Sequence, residues 1–418
     1  MKQFIFDKKY QPIRIFLGFV LGIAAGMLFH DFSIAIKPLG TIFMNLIKML
    51  IVPIILFSVA SGIASIGDAQ KLRRIGGKVV LIYCVMTVIA CVAAVGVSQI
   101  THPGIGFTLQ GLEAFDASKV TTPSFLNFFI DMVPDNIVSA MAKSNIMQLI
   151  FFTFILGVAI VHLGEKANVF TQFLDQGAQI TYRMLDIIMI YAPVGIFALM
   201  ANTVAVYGPQ LFGALGKFVF TDYLACIVTW LLMSFAVKAY TGIHYGKMCG
   251  AMVPIWINTL STTSSAGTIP ITMDVTTNKM KVPSSLASFS IPLGATINLT
   301  GAAIYKTVLA FFVAQIYGLD FTFMQIVMII TISTIMSIAA PGIPGGGIVT
   351  GAIFLNLLGL PMDMMGPIAG MYRLIDMAHT TLNVSGDVMG TLLVAKNENL
   401  WTADEFNGSG DADPDAAV

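Results

Sequence analysis

Two short runs in the C-terminal half of the chain carry residue types suited to capturing a cation. Thr296-Ile297-Asn298-Leu299-Thr300-Gly301-Ala302 and Thr381-Leu382-Asn383-Val384-Ser385-Gly386-Asp387 match in kind until the last residue, at a shift of 85 residues. Asparagine, a hydroxyl residue and glycine in succession have the composition to unwind a helix, and unwound backbone presents free carbonyl oxygens. Asp387 adds one formal charge beside them. One carboxylate among neutral oxygens suits a monovalent cation such as sodium, whereas calcium usually draws on more carboxylates. Asp376 lies 11 residues before Asp387, so on a helix the two share a face. It either offers a carboxylate to a substrate ammonium or is held by Arg373 at i−3. His379, Thr380 and Asn383 follow on that face, although a lone histidine such as His379 is ordinarily a satisfied structural residue. The run Ser261 to Thr268, with Ser264 and Ser265 inside it, supplies hydroxyls and a helix N-terminus that favours a carboxylate. An ammonium receptor opposite a carboxylate receptor points to a zwitterion, an α-amino acid.

The elements that position these groups must lie in a membrane. Charged residues are 11% of the 418, apolar residues are 56%, and mean hydropathy is +0.85. A soluble domain carries about 25% charged residues, so an ordinary soluble enzyme and a disordered chain are excluded. With 22 Lys+Arg against 22 Asp+Glu there is no basic excess for nucleic acid. Apolar stretches near 12–36, 40–66, 76–99, 146–163, 180–206, 213–240, 284–316, 323–338 and 364–395 are the candidate spans. Lys2, Lys8 and Lys9 precede Ile15–Phe29, which reads as a first span because no small-residue cleavage site follows it. Cys84, Cys91, Cys226 and Cys249 form no CxxC and read as packing residues. The histidines make no metal-ligand pair at helical spacing, and no nucleotide-binding P-loop is present.

Two segments are too irregular to face lipid. Segment 250–283 is polar from Asn258 to Thr268, and segment 339–360 holds Pro341-Gly342-Ile343-Pro344-Gly345-Gly346-Gly347. Basic residues mark the cytoplasmic side: Lys2, Lys8, Lys9 and Arg14, then Lys71, Arg73, Arg74 and Lys78. Lys238 and Lys247 precede the first irregular segment and Lys279 and Lys281 follow it, so it enters and returns from the cytoplasm. The second is flanked by Asp320 and Asp363 and returns from outside. Two hairpins opening to opposite faces, each followed by one copy of the repeat, describe an inverted-repeat secondary transporter.

Ser264-Ser265-Ala266-Gly267-Thr268-Ile269-Pro270, Pro292-Leu293-Gly294-Ala295-Thr296-Ile297-Asn298 and Asp376-Met377-Ala378-His379-Thr380-Thr381-Leu382-Asn383-Val384-Ser385-Gly386-Asp387 resemble the dicarboxylate/amino acid:cation symporter family, the glutamate transporter homologues, over about 10–396. The resemblance implies an all-α membrane protein of eight transmembrane helices plus two re-entrant helical hairpins, working as a homotrimer by an elevator mechanism. It implies no enzyme activity, no organic cofactor, and a prokaryotic inner membrane with both termini cytoplasmic. Scaffold would occupy 1–75 and 126–210; the transport domain would occupy 211–396 and the third span in 76–125, leaving 397–418 as a disordered acidic tail.

Carried over residue by residue, the resemblance implies one sodium site at Gly294, Asn298, Asn383 and Asp387, and a second at Thr296, Ser337, Ile338 and Ala340. The substrate would meet Ser264, Ser265, Ala302, Ile343, Gly347, Asp376, His379, Thr380 and Asn383. Acidic-substrate members use an arginine at the position of His379 or of Thr263, and a threonine at that of Ala302; all three are missing here. An imidazole cannot copy a bidentate guanidinium, so a neutral, small polar amino acid is expected, with cystine or an acidic amino acid or dicarboxylate as the alternative. Of the third cation site Tyr83 and Thr87 remain, but its aspartate is Thr300 and Met86 stands where a hydroxyl residue is expected. Lys306 stands where coupled relatives carry an acid; it either acts as a tethered cation or snorkels to the helix end. Coupling to protons through His379 or Asp376 is the competing mechanism, and a channel or receptor the competing class.

Overall fold

The computed structural model describes residues 11–64, 70–106, 130, 133–143, 145–208, 211–338 and 346–408. They are built of helices, with no strand among the described residues. α1 (Gln11–Leu28), α2 (His30–Ala35) and α3 (Lys37–Met49) lead into the short α4 (Ile51–Ile54) and α5 (Ala60–Ala64). α6 (Gln70–Thr101), α7 (Ile137–Ala142), α8 (Ile146–Leu163), α9 (Asn168–Tyr207) and α10 (Leu211–Thr241) follow. The C-terminal half holds α11 (Tyr245–Thr262), α12 (Ser265–Asp274), α13 (Ser284–Ile297), α14 (Thr300–Ile316), α15 (Phe323–Ile338), α16 (Gly346–Leu357), α17 (Met365–Asn397) and α18 (Ala403–Gly408).

Apolar composition lets these helices face lipid on one side and each other on the opposite side. Ile75–Thr101, Phe151–Val206, Gly213–Thr241 and Ser284–Ile316 are long and apolar enough to cross a membrane. On α6, Leu81, Val85, Val88 and Val92 form an exposed stripe while Tyr83, Met86, Ala90 and Ala94 are buried. α13 and α14 lie at the centre, enclosed by their neighbours. In the N-terminal half, α1 lies directly on α9. A Cβ at Gly18, Gly22 or Gly26 would stand 2.4, 2.6 and 2.6 Å from the carbonyl oxygens of Pro193, Phe197 and Ala201, the small-residue seam that lets membrane helices approach closely.

Side-chain contacts place the flanks of the two irregular segments at opposite ends of α6. Lys78 near the start of α6 donates to Asn397 Oδ1 at 2.7 Å and pairs with Glu398, so the end of α17 lies there. Gly242 and His244, just before α11, bond to Asn407, and Met280, after α12, accepts from Trp401 Nε1 at 2.7 Å. The chain through α11 and α12 therefore leaves and returns at the Lys78 end. At the far end of α6, Gly104 N–H donates to Gln315 Oε1 at 2.9 Å, and Tyr317 OH donates to Asp363 Oδ2 at 2.9 Å. The chain through α15 and α16 starts and finishes there. Ala340, Ile343 and the rest of 339–345 lie outside the described residues, as does most of the connection 100–125.

Two expectations are corrected. The stretch 397–408 is not a loose tail: Trp401 and Phe406 are buried and α18 docks on the α10–α11 connection, because two aromatic side chains and Asn407 tie it down. Residues 409–418 lie outside the described set. The second repeat does not unwind, since α17 runs unbroken through Asn383-Val384-Ser385-Gly386. Ser385 Oγ donates back to Thr381 O at 2.7 Å within the helix, and Gly386 serves as a notch for a neighbouring side chain rather than as a breaker.

Trp401→Ala removes a buried indole and its hydrogen bond, and should cost about 3 kcal/mol. Limited proteolysis of the purified protein should then cut near 401–408 faster than in the native chain; an unchanged rate would mean the indole does not hold the segment.

Candidate cation and substrate site

The first repeat breaks the helix. Asn298 (φ −96°, ψ 53°) and Leu299 (φ −87°, ψ 57°) separate α13 from α14, leaving carbonyls at the end of α13 without helical partners. Asn298 is fully buried and stabilises the break through its side chain. Its Nδ2 donates to Asp387 Oδ1 at 2.8 Å and to Asn383 O at 3.3 Å, and its Oδ1 accepts from Thr300 Oγ1 at 2.9 Å. Asn383 Oδ1 in turn caps the new helix, accepting from Gly301 N–H at 2.7 Å.

Asp387 is 1% exposed. No lysine or arginine pairs with it among the described residues, and the Asn298 amide is neutral. Two glycines make room: a Cβ at Gly294 would lie 2.4 Å from Asp387 Oδ1, and one at Gly386 would lie 2.8 Å from Asn298 Nδ2. Gly294, Asn298, Asn383 and Asp387 thus converge as the sequence reading expects. Tyr83 OH donates to Ser290 O at 3.0 Å and to Asp387 O at 3.3 Å. Thr87 is turned onto Tyr83 O at 2.9 Å.

The second cation set is less assembled. Thr296 is exposed, its hydroxyl donating to Leu293 O at 2.7 Å. Ser337 is buried, bonding to Ser333 O and Thr334 O, and Ile338 ends α15. Lys306 does not snorkel. It is 0% exposed in mid-α14, and its Nζ donates to Ala302 O at 2.8 Å; no carboxylate pairs with it among the described residues.

Around Asp376 a second cluster forms. Asp376 is 9% exposed and accepts from Tyr372 OH at 3.3 Å; Thr380 and Asn383 are buried further along the same helix. Gly347, at the start of α16, lies against that phenol so closely that a Cβ would be 1.7 Å from its oxygen. Across from them is the α11–α12 turn. Thr263 adopts the left-handed conformation (φ 48°, ψ 41°) and ends α11; Ser264 Oγ accepts from Gly267 N–H at 3.0 Å and caps α12, with Ser265 buried behind it. Arg373 reaches this turn, donating to Thr263 Oγ1 and to Thr262 O at 3.4 Å. An arginine therefore does stand at the tip where the sequence reading saw none, supplied by α17. Trp256 Nε1 to Ser385 Oγ and Thr259 to Thr381, both 2.9 Å, fasten α11 to α17.

His379 departs from expectation. Its Nε2 lies 2.8 Å from Asp222 Oδ2 on α10, both residues fully buried, so it serves Asp222 rather than pointing free into the Asp376 cluster. Asp222 was missed in the sequence, although an acid in the middle of an apolar span is by itself a functional signal.

The sequence profile of the sodium:dicarboxylate symporter family matches residues 12–397. The chain belongs to this family. It is similar to a proton/sodium-glutamate symport protein of Geobacillus stearothermophilus, 31% identical and covering 94% of this chain and 95% of that one. It is also similar to a proton/glutamate-aspartate symporter of Escherichia coli, 32% identical over 96% and 95% of the two chains. A C4-dicarboxylate transport protein of Bacillus subtilis is 29% identical over 94% of each. The chain is thus an integral membrane protein of a symporter family.

Gly386→Ala would push a methyl group onto Asn298 Nδ2; overpacking of this kind costs about 1–3 kcal/mol. The sodium concentration for half-maximal stabilisation of the purified protein should rise about tenfold, whereas Gly213→Ala, where a Cβ meets nothing, should leave it unchanged.

Proposed function

We propose that this chain couples inward movement of sodium to uptake of a small polar, neutral L-amino acid. The observation that carries the cation half is Asp387, a buried carboxylate with neutral hydrogen-bond partners beside a break in a central helix. Such a charge is costly until a counter-ion joins it, and carbonyls and amide oxygens complete a ligand set for a monovalent ion. Sodium is the ion that the family's description names.

The amino acid would lie between Asp376, which takes its ammonium group, and the N-terminus of α12 at Ser264 and Ser265, which takes its carboxylate. Thr380 and Asn383 would line it, with Ala302, Gly347 and Ile343 around it. In this reading the pairs α11–α12 and α15–α16 are re-entrant hairpins, and they travel with α6, α10, α13, α14 and α17 as an elevator within a homotrimer in the bacterial inner membrane. Spans in 1–75 and 126–210 form the static scaffold, and both termini face the cytoplasm. Thr296, Ser337, Ile338 and Ala340 form a second sodium site. Lys306 replaces, as a tethered cation, the third ion that a site at Tyr83, Thr87 and Thr300 would otherwise hold; its full burial supports that over snorkelling. A channel would need a continuous polar stripe, whereas the polar groups here converge on two clusters.

A second reading, an acidic amino acid or dicarboxylate as substrate, is favoured by Arg373 at the α11–α12 turn and by the glutamate, aspartate and C4-dicarboxylate transport for which the relatives are named. Coupling to protons belongs with it. Proteoliposome uptake separates these readings. A sodium gradient at fixed pH should drive serine or threonine accumulation at least tenfold better than glutamate, aspartate or succinate, and the reverse order would overturn the neutral reading. Reversal potentials should give two sodium ions per substrate; three would remove the role given to Lys306.

A further inference from the structure

Asp222 and His379 form a buried polar knot that the reading above does not use. Asp222 sits on α10 and His379 on α17, at 0% and 1% exposure. One oxygen and one nitrogen are joined at 2.8 Å; the other two, Asp222 Oδ1 and His379 Nδ1, have no hydrogen-bond partner among the described residues, and neither does Tyr305 OH. Cys226 lies one turn along α10, with its sulfur in the same group. The Tyr305 and Tyr372 rings stand 5.8 and 6.3 Å from the imidazole, and Tyr372 OH donates to Asp376. Through the two tyrosines the knot is therefore continuous with the cluster that would hold the amino acid.

A carboxylate at this depth needs a compensating charge. No lysine or arginine pairs with Asp222 among the described residues, so the imidazole is the group available to balance it. The pair is then never net positive: if His379 carries the proton, Asp222 cancels it. Any carboxylate brought alongside would face Asp222, which no lysine or arginine pairs among the described residues, in a medium that screens poorly. A hydroxyl or amide, in contrast, can bond to the unpartnered oxygen, nitrogen and phenol.

We propose that Asp222 is a specificity-determining residue: by holding His379 it gives the side-chain end of the substrate site a neutral, hydrogen-bonding wall that admits hydroxyl and amide side chains and rejects carboxylates. This rests on the placement of the amino acid against Asp376 given above. It predicts that a cation introduced at 379 would be captured by Asp222 and so gain nothing alone.

The test compares native protein, His379→Arg, Asp222→Asn and the double variant His379→Arg/Asp222→Asn, each purified and reconstituted, for uptake of serine, threonine, aspartate and glutamate. Native protein preferring the neutral pair supports the neutral reading on which this rests. Native protein preferring aspartate or glutamate overturns that reading and this inference together. With the native preference neutral, His379→Arg alone should shift the acidic-to-neutral ratio less than threefold, and the double variant at least tenfold. The inference falls, with that reading intact, if the single arginine shifts the ratio as far as the double variant or if the double variant shifts it less than twofold. Should the double variant fail to fold, Asp222→Asn alone decides: isosteric and uncharged, it should raise the ratio at least threefold, and an unchanged ratio would overturn the inference.

Discussion

A carboxylate enclosed among apolar helices and met by a neutral amide is the interaction on which the arrangement turns. Asp387 sits where transfer of an unpaired charge from water costs several kcal/mol, and Asn298 offers it one hydrogen bond. The surrounding features serve that contact. Gly294 and Gly386 remove the side chains that would obstruct it, Asn298 and Leu299 leave helical geometry, and Asn383 caps the helix that restarts. A bound monovalent cation would convert a costly buried group into a source of stability, which is how ion binding and ordering of the site become linked.

The two copies of the repeat solve different halves of the problem. The Asn298 copy breaks and frees carbonyls; the Asp387 copy stays helical and supplies charge and an amide. Because α17 is continuous, Asp376 and Asp387 are carried on one rigid rod, about three turns apart. The two carboxylates are thereby held at a set spacing; with the roles proposed for them above, that spacing would be a mechanical route for coupling that needs no long signal path. The knot of Asp222 and His379 is joined to the same rod, as is Arg373 at the α11–α12 turn.

Much of this was legible because membrane burial punishes irregular backbone and charge. Low charge content pointed to membrane helices, and the Asn-x-Ser/Thr-Gly repeat pointed to the break at Asn298 and to the cluster around Asp387. Four features were not legible. Gly386 has helix-breaking composition, yet its role depends on Asn298 lying across it, a contact between residues distant in sequence. The partner of His379 lies 157 positions away on α10, so periodicity within α17 could not name it. The i−3 spacing offers Arg373 as one partner for Asp376, but it could not show that the same long side chain also reaches Thr263 on another element. The anchoring of 401–408 was likewise hidden, because its acidic composition outweighed two aromatic residues whose pockets lie elsewhere in the chain.

Direct sodium binding to Asp387→Ala puts the central claim at risk most plainly. The purified native protein should be stabilised by sodium and not by an equal concentration of choline, with the apparent melting temperature rising as sodium is added. In Asp387→Ala that sodium-specific rise should disappear, while the basal melting temperature stays equal or increases, because an uncompensated buried charge has been removed. A variant that keeps the full sodium-dependent rise would contradict the account.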